Sequence, residues 1–263
     1  MKIIVCVKQV PDTSEVEIDP QTNTLIRTGI PVIINPDDKS AIEAALTLRE
    51  KLGDSTVTVV SMGPRQAELA LYEALSMGCD QAVLVSGREF GGSDTLATST
   101  ILAAAIKKIG YDIVLTGRQA IDGDTAQVGP QIAEHLGIAQ VSYVQDVDVN
   151  EESLIVLRQF EDRYHKLKVS APCLLTFLSD AEHPRYMTVK GIVDAKEKKI
   201  SVMGYQDLAE DLDPSSIGLK GSPTNVVKSY TKELKAQGTV LKDVSADEAV
   251  DAIMALLHEK HIV

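Results

Sequence analysis

Several features common in proteins are scarce or missing in this sequence of 263 residues, and each absence excludes some classes of function. Tryptophan is absent, aromatic residues make up 4%, and only three cysteines occur, Cys6, Cys79 and Cys173. The cysteines are scattered and odd in number, so they indicate neither a disulfide framework nor a metal site, and they favour a reducing cytoplasm. No apolar stretch approaches the length of a membrane span, so we expect no membrane insertion.

Positive charge is also scarce. Lys and Arg number 26 against 38 Asp and Glu, which gives a formal net charge of −12 at pH 7. Phosphate backbones repel such an acidic chain, so nucleic acid is not an expected partner. The apolar content comes from Val, Ile, Leu and Ala, as is typical of a buried parallel sheet covered by helices.

The standard motifs of nucleotide-binding and hydrolytic enzymes are missing too. No GxGxxG follows the first predicted strand, and neither GxxxxGK[ST] nor GxSxG occurs anywhere. No nucleophile lies beside an evident base. We therefore expect no catalytic residue in this chain, and a cofactor would carry any chemistry in which it takes part.

What the sequence does contain is a regular alternation of apolar runs and helical patterns. Strands are predicted at 2–7, 56–61, 82–85 and 112–115, each followed by a helical pattern. A predicted hairpin, 15–18 with 24–26, interrupts the first unit, whose helix begins after a predicted N-cap at Asn35. The alternation predicts an α/β fold with a mostly parallel sheet. Further strands are predicted at 141–149, 154–160, 164–169 and 173–177, as antiparallel additions to the sheet edge.

The end of the chain lacks this alternation. From Tyr205 to about Gly238 the sequence is polar, with two prolines and no sustained period, and a helical pattern with one apolar face follows over 246–258. We expect residues 1–204 to form the α/β domain. Residues 205–263 are expected to form an extended arm whose terminal helix docks on another surface.

The loop after the fourth predicted strand carries the strongest functional signal. Residues 113–136 read IVLTGRQAIDGDTAQVGPQIAEHL, in which a glycine-bearing loop joins an apolar run to a helical pattern. Backbone N–H groups at the start of such a helix, together with the helix dipole, favour a phosphate or pyrophosphate. The loops after the other strands converge on the same rim.

Polar side chains in this loop leave its role open. Thr125 and Gln127 suit a phosphate, a ribose or a base. Asp122 and Asp124 disfavour a bare anion, but they suit ribose hydroxyls or a helix cap. A well-capped loop without a ligand explains the same residues, so the chemistry alone favours neither nucleotide binding nor simple capping.

Three blocks of the sequence resemble the small (beta) subunit of electron-transfer flavoproteins. GRQAIDGDTAQVGPQIAEHL resembles the nucleotide loop of that family, VLRQFEDRYHKLKVSAPCLLTF its second signature, and EHPRYMTVKGIVDAKEKK its partner-recognition segment. CVKQVPDT near the start and the Asn35-Pro36 cap match as well, so the resemblance covers nearly the whole chain. It implies an adenine-nucleotide-hydrolase-like, three-layer α/β/α domain. It also implies a heterodimer with a larger alpha subunit, which the C-terminal arm wraps.

Two subtypes of this family differ in the nucleotide of the beta subunit. In one, the beta subunit holds AMP. In the other it holds a second FAD, which accepts hydride from NADH and bifurcates the electrons, one to ferredoxin or flavodoxin and one through the alpha-subunit FAD toward an acyl-CoA dehydrogenase. The small loop residues Gly123 and Ala126, and Thr95 and Thr98 on the third rim loop, favour FAD, with AMP as the alternative. Helix capping is the other explanation for the two threonines.

The resemblance also implies the site residues. Backbone at Cys6 and Val7 would contact the adenine, and Met62 would line its pocket unless it only packs on the core. Asn35 and Asp37 would bind the ribose or its neighbours. The expected cofactor-binding residues are Cys6, Val7, Asn35, Asp37, Met62, Thr95, Thr98, Gly117, Asp122, Gly123, Asp124, Thr125, Ala126, Gln127 and Val128. Tyr186, Met187 and Val189 would bind the dehydrogenase, with Val189 as the anchor.

A nucleotide sensor of the universal-stress type, on the same fold, is the rival interpretation. It predicts a homodimer, no flavin and no need for residues beyond Gly204.

Overall fold

The computed structural model describes residues 1–12, 31–151, 153–224, 226–227 and 238–263, so the expected hairpin at 15–18 and 24–26 lies outside the described residues. The strands are β1 (Lys2–Cys6), β2 (Gln9–Pro11), β3 (Val32–Ile34), β4 (Thr56–Met62), β5 (Gln81–Val85), β6 (Ile113–Gly117), β7 (Ala139–Asn150), β8 (Ser153–Phe160), β9 (Arg163–Ser170), β10 (Cys173–Phe177) and β11 (Ser201–Met203). The α-helices are α1 (Pro36–Leu52), α2 (Glu68–Met77), α3 (Thr95–Ile109), α4 (Val128–Leu136), α5 (Val189–Glu197), α6 (Tyr205–Leu208), α7 (Gly218–Gly221) and α8 (Ala246–Glu259).

Within the described residues, nine strands form one sheet in the order β11-β5-β4-β1-β6-β10-β7-β8-β9. Neighbouring strands from β11 to β7 pair in parallel, while β7–β8 and β8–β9 pair antiparallel. The α/β prediction with a mostly parallel sheet and antiparallel edge strands is confirmed. The antiparallel assignment was wrong for β10, which lies between β6 and β7 and runs parallel to both, and therefore also for the side of β7 that pairs with β10. All five residues of its CLLTF sequence are buried, as a strand covered on both faces requires.

Helices cover both faces of the sheet, which gives the expected three layers. Successive residues of β1 point to opposite faces, so Ile3 and Val5 pack in one cluster and Ile4 and Cys6 in the other. The first cluster includes buried residues of α1 and α2, and the second includes those of α3 and α4. The parallel sheet is therefore buried between two apolar layers.

The segment after Gly204 does not begin as an extended arm. Leu208, Leu212 and Ile217 are buried in the cluster beside α3. The expectation that this segment contributes nothing to a core was therefore wrong up to Ser222, which is also buried. The apolar residues there follow no helical or strand period, so periodicity did not reveal them. The division at residue 204 stays a prediction.

Helix α8 differs from the other long helices in having no buried residue. Ser245 and Glu248 form a capping box at its start. Its apolar face nevertheless remains exposed, with Val250 57%, Ile253 55% and Leu256 54% accessible. Among the described ranges of the chain, no helix is long and apolar enough to cross a membrane.

Candidate functional site

A cavity of about 680 Å³ lies at the carboxyl ends of β1, β4, β5 and β6. In the sheet, β4 and β5 lie on one side of β1, whereas β6 and β10 lie on its other side. The cavity therefore lies at the point where the strand order reverses. Open α/β sheets bind their ligands at this position. The loops after the four strands, which the sequence predicted to converge, all contribute to the lining.

All but two of the expected cofactor-binding residues line this cavity. They are Cys6, Val7, Met62, Thr95, Thr98, Gly117, Asp122, Gly123, Asp124, Thr125, Ala126, Gln127 and Val128. Residues that are far apart in the sequence thus surround one space. Their contacts with a cofactor stay a prediction.

The loop before α4 has a backbone suited to an anion. Asp124 and Ala126 adopt left-handed φ values of 55° and 53°. Gln127, which follows Ala126, returns to the right-handed region with φ −104°. Alternation of this kind directs successive N–H groups toward one concave side, where they bind phosphate oxygens. A Cβ atom added at Gly123 would meet only Lys8 Nζ, at 4.0 Å, so the space there is open.

Lys8 reduces the repulsion that the acidic residues of the loop would exert on a phosphate. Its Nζ lies 2.7 Å from Asp122 Oδ1, and both residues line the cavity. The ammonium group therefore offsets the nearest carboxylate and is itself placed beside the open space at Gly123. The sequence analysis did not identify Lys8, because a single lysine after a strand is an unspecific signal.

The third rim loop is joined to the loop before α4. Thr95 Oγ1 donates to Gln127 Oε1 at 2.8 Å. Thr95 does not cap α3, since the cap is Asp94, whose Oδ1 accepts from Ala97 N at 3.0 Å. The capping explanation therefore fails for Thr95, whose hydroxyl lies on the cavity lining.

Asn35 and Asp37 are the two expected site residues that do not line the cavity. Both are buried, and both bind the backbone of the loop after β6 from behind. Asn35 Nδ2 donates to Gln119 O at 2.8 Å, and Asn35 Oδ1 accepts from Ile121 N at 3.1 Å. Asn35 is the N-cap residue of α1, as predicted, although its side chain binds this loop and not the N–H groups of the helix. Asp37 Oδ2 accepts from Gln119 N at 3.3 Å. Their expected contacts with the ribose or its neighbours stay a prediction.

The neighbouring carboxylate, Asp38, does line the cavity and was missed. It is 7% exposed and accepts hydrogen bonds from Lys8 N at 2.8 Å and Gly117 N at 2.9 Å. Burial raises the pKa of Asp38 to about 7, although these hydrogen bonds and one from Asn35 partly oppose the shift. In the sequence, Asp38 is simply an acid in the first turn of a helix, which is a common feature.

Cys6 lines the cavity without being a reactive thiol. Burial, with a smaller contribution from the Asp38 carboxylate, raises the pKa of Cys6 to about 12. The thiol therefore stays protonated at neutral pH, and a protonated thiol is a poor nucleophile. Cys6 contributes shape and backbone groups to the cavity.

The expected docking residues lie on a different surface, outside the cavity lining. Tyr186 is 93% exposed, Val189 82% and Met187 44%. Arg185 holds this segment on α1, with its guanidinium 2.8 Å from Glu43 and 2.7 Å from Glu50. The segment thus has a fixed base and an exposed apolar tip, and exposed apolar patches mark sites of interaction.

Comparison with known proteins gives matches along the whole chain. Residues 22–207 match the family model described as Electron transfer flavoprotein domain. The chain is 54% identical over 263 residues to "Electron transfer flavoprotein subunit beta" of Clostridium acetobutylicum, with all of both chains covered. It is 48% identical over 264 residues to "Caffeyl-CoA reductase-Etf complex subunit CarD" of Acetobacterium woodii, again over the full length of both. It is also 48% identical over 270 residues to "Acryloyl-CoA reductase electron transfer subunit gamma" of Anaerotignum propionicum, with full coverage of both chains.

Proposed function

Because the chain belongs to the electron transfer flavoprotein family and matches its beta subunits over their full length, we propose that its cavity binds FAD and that it takes part in electron bifurcation. Membership of this family decides against the rival stress-protein interpretation. The proposed electron donor is NADH, and the proposed acceptors are ferredoxin or flavodoxin and an acyl-CoA dehydrogenase.

The extent of the cavity is the observation that carries this proposal. It runs from Cys6 and Met62, past the backbone at 123–128 that we assign to the phosphates, to Thr98 and Leu102 of α3. Its volume of about 680 Å³ lies in the upper half of the range usual for ligand sites, roughly 300–1,000 Å³. A ligand longer than a mononucleotide would use the region beside α3 as well as the phosphate loop.

The residues of the cavity fit the parts of FAD. Cys6, Val7 and Met62 would contact the adenine. The backbone from Gly123 to Val128 would bind the pyrophosphate, and Lys8 supplies a cation beside it. Thr98 would donate a hydrogen bond to the remaining part of the cofactor, and the Thr95 hydroxyl, whose hydrogen is given to Gln127 Oε1, would accept one. When bound, FAD supplies hydride acceptance from NADH and one-electron transfer, while the protein holds and orients it.

The names of two relatives support the acyl-CoA side of the proposal. One is a subunit of a caffeyl-CoA reductase complex, and the other is an electron transfer subunit of acryloyl-CoA reductase. Both names refer to reduction of a CoA thioester. The exposed tip at Tyr186, Met187 and Val189 is the surface that we assign to such a dehydrogenase or reductase.

The exposed apolar face of α8 is assigned to the alpha subunit. Val250, Ile253 and Leu256 are each more than half exposed, and a helix with one apolar stripe is stabilised by covering that stripe. The expected contact of the arm with the alpha subunit is thus proposed for the end of the chain.

The second candidate is an AMP-binding beta subunit of an electron carrier whose single FAD lies on the alpha subunit. The part of the cavity around Cys6, Met62 and the phosphate loop would serve AMP as well as FAD. Flavin content separates the two candidates. The purified, FAD-supplemented heterodimer should contain two flavins, and one FAD with one AMP would refute the bifurcating assignment.

The Gly123→Leu variant tests where in the cavity the pyrophosphate binds. The glycine faces open space, so the substitution adds bulk only where the pyrophosphate is expected. The variant heterodimer should keep one flavin and lose NADH-dependent ferredoxin reduction. Gly204→Leu is the matched control, because it adds the same bulk outside the cavity, where a Cβ meets nothing nearer than 3.7 Å. Two flavins in the Gly123→Leu heterodimer would contradict the assigned pyrophosphate position.

A further inference from the structure

A short segment beyond α6 covers one of the loops that surround the cavity. The loop joins β5 to α3, and its residues 86, 87 and 90–94 line the cavity. Residues 217–224 bind this loop, yet none of them, although the structure describes them all, belongs to the cavity lining. Segment 217–224 therefore supports the loop from outside the cavity.

The segment and the loop are joined along their backbones. Leu219 N donates to Gly91 O at 3.1 Å, and Gly218 N donates to Ser93 Oγ at 3.1 Å. Gly218 has a left-handed φ of 61°, and a Cβ atom added there would collide with Glu89 O. The two backbones thus lie so close together that a side chain at residue 218 would push them apart.

The hydroxyl of Ser222 lies at the centre of this contact. The residue is 5% exposed, and its Oγ accepts from Asp94 N at 2.8 Å. The same Oγ donates to Gly218 O at 2.7 Å, so one hydroxyl binds the loop and the segment at once. Its removal would take away the partner that the Asp94 N–H has in the folded chain, and an N–H group shielded from water is unfavourable without a partner.

The residue that the serine binds is also the cap of α3. Asp94 Oδ1 accepts from the first turn of this helix, and Asp94 Oδ2 accepts from Thr224 N at 3.0 Å, in the same segment. Thr95 follows directly, and Thr98 lies one turn further along the helix; both line the cavity. The segment therefore fixes where α3 begins, and with it the position of the two threonines.

We propose that Ser222 is a positioning residue, which holds the start of α3 at the cavity and thereby sets the preference of the site for FAD over AMP. The inference rests on the proposed function, because it needs a cofactor that reaches α3. AMP would occupy only the part of the cavity around Cys6, Met62 and the backbone at 123–128. Loss of the Ser222 hydroxyl should therefore weaken the binding of FAD far more than that of AMP.

The test measures the dissociation constants of FAD and of AMP at the beta-subunit site. Titration calorimetry is performed on the purified heterodimer after its beta-subunit nucleotide has been removed. In Ser222→Ala the constant for FAD should rise roughly tenfold, as expected for the loss of one hydrogen bond shielded from water, and the constant for AMP should stay as in the wild type. A serine with only a general structural role would weaken both nucleotides alike.

Ser153→Ala is the matched control. Ser153 is 8% exposed, and its Oγ donates to Asn150 O at 2.9 Å at the start of β8, outside the cavity lining. This variant loses an equally buried hydroxyl and should bind both nucleotides as the wild type does. Gly218→Ala is a second test variant, because its methyl group would collide with Glu89 O and push the segment away from the loop. It should show the same selective loss of FAD.

Several outcomes would overturn the inference and leave the proposed function standing. They are unchanged FAD binding in Ser222→Ala, an equal loss of FAD and AMP, and a Ser222→Ala chain that no longer assembles with the alpha subunit. A wild-type heterodimer whose beta subunit takes up AMP but no FAD would overturn the proposed function, and this inference with it.

Discussion

The proposed cofactor cavity and the proposed docking surfaces are built in opposite ways. Buried polar side chains such as Asn35 and Asp38 bind the backbone of the loops around the cavity, so these loops are formed before any ligand binds. The docking surfaces instead leave apolar side chains in water, with Val189 82% and Ile253 55% exposed. A site for a small ligand needs donors fixed in advance, whereas a docking surface gains its free energy when a partner covers it.

Removal of residues 238–263 should have the largest effect among the tests of this contrast. The truncation removes α8 but keeps the buried residues Leu208, Leu212 and Ile217. The chain should lose co-purification with the alpha subunit while its α/β domain stays folded, because no residue of α8 is buried. Pull-down of the tagged alpha subunit, with circular dichroism of the truncated chain, measures both. Undiminished co-purification would refute the docking role of α8.

A charge at the exposed tip tests the second docking surface. Val189→Asp should slow electron delivery to the dehydrogenase by roughly tenfold or more, since a central apolar anchor of an interface commonly contributes at least 1–2 kcal/mol. NADH oxidation with an artificial dye should be unchanged, because Val189 lies outside the cavity lining.

The matched control for this variant is Val202→Asp. Val202 is 52% exposed on β11, at the other edge of the sheet from β9. It should leave both rates unchanged. If Val189→Asp lowered both rates together, the segment would have a structural role and the contrast between the two regions would weaken.

The most gradual expected effect concerns the stability of the folded chain, because it is spread over several pH units. The folded chain keeps a proton on Asp38 up to a pKa of about 7, whereas the unfolded chain releases it near the ordinary value of 3.8. Folding therefore takes up a proton between these values. The contribution of Asp38 to the free energy of unfolding is greatest at the acidic end, falls as the pH rises to about 7 and is constant above it, a change of at most about 4 kcal/mol.

Urea unfolding across this pH range gives the free energy of unfolding of the wild type and of Asp38→Asn, and the wild-type value minus the variant value measures that contribution. The difference should decline with rising pH. A difference that grew with pH would show that the carboxylate stabilises the fold in its charged form, contrary to its burial.

Patterned features of the molecule were predictable from the sequence. The alternation of apolar runs with helical patterns predicted the parallel strand–helix units, and the glycine-bearing loop at 117–129 predicted the rim of the cavity. The irregular apolar residues Leu208, Leu212 and Ile217 were not predictable, because burial without a period leaves no signal in a window of sequence. The place of β10 inside the sheet was missed for a related reason, since strand order depends on contacts between distant residues.

The sequence by itself determined the fold class, the family and the set of loops around the cavity, because those follow from periodicity and from contiguous blocks of residues. Only the tertiary structure decided what the Asn35–Asp38 segment does. Asn35 and Asp37 turn behind the loop and Asp38 turns into the cavity, and these directions depend on how α1 packs against β1 and β6. Side chains that bind backbone more than 75 residues away cannot be assigned from local spacing, since Asp38 and Gly117 are 79 residues apart in the chain.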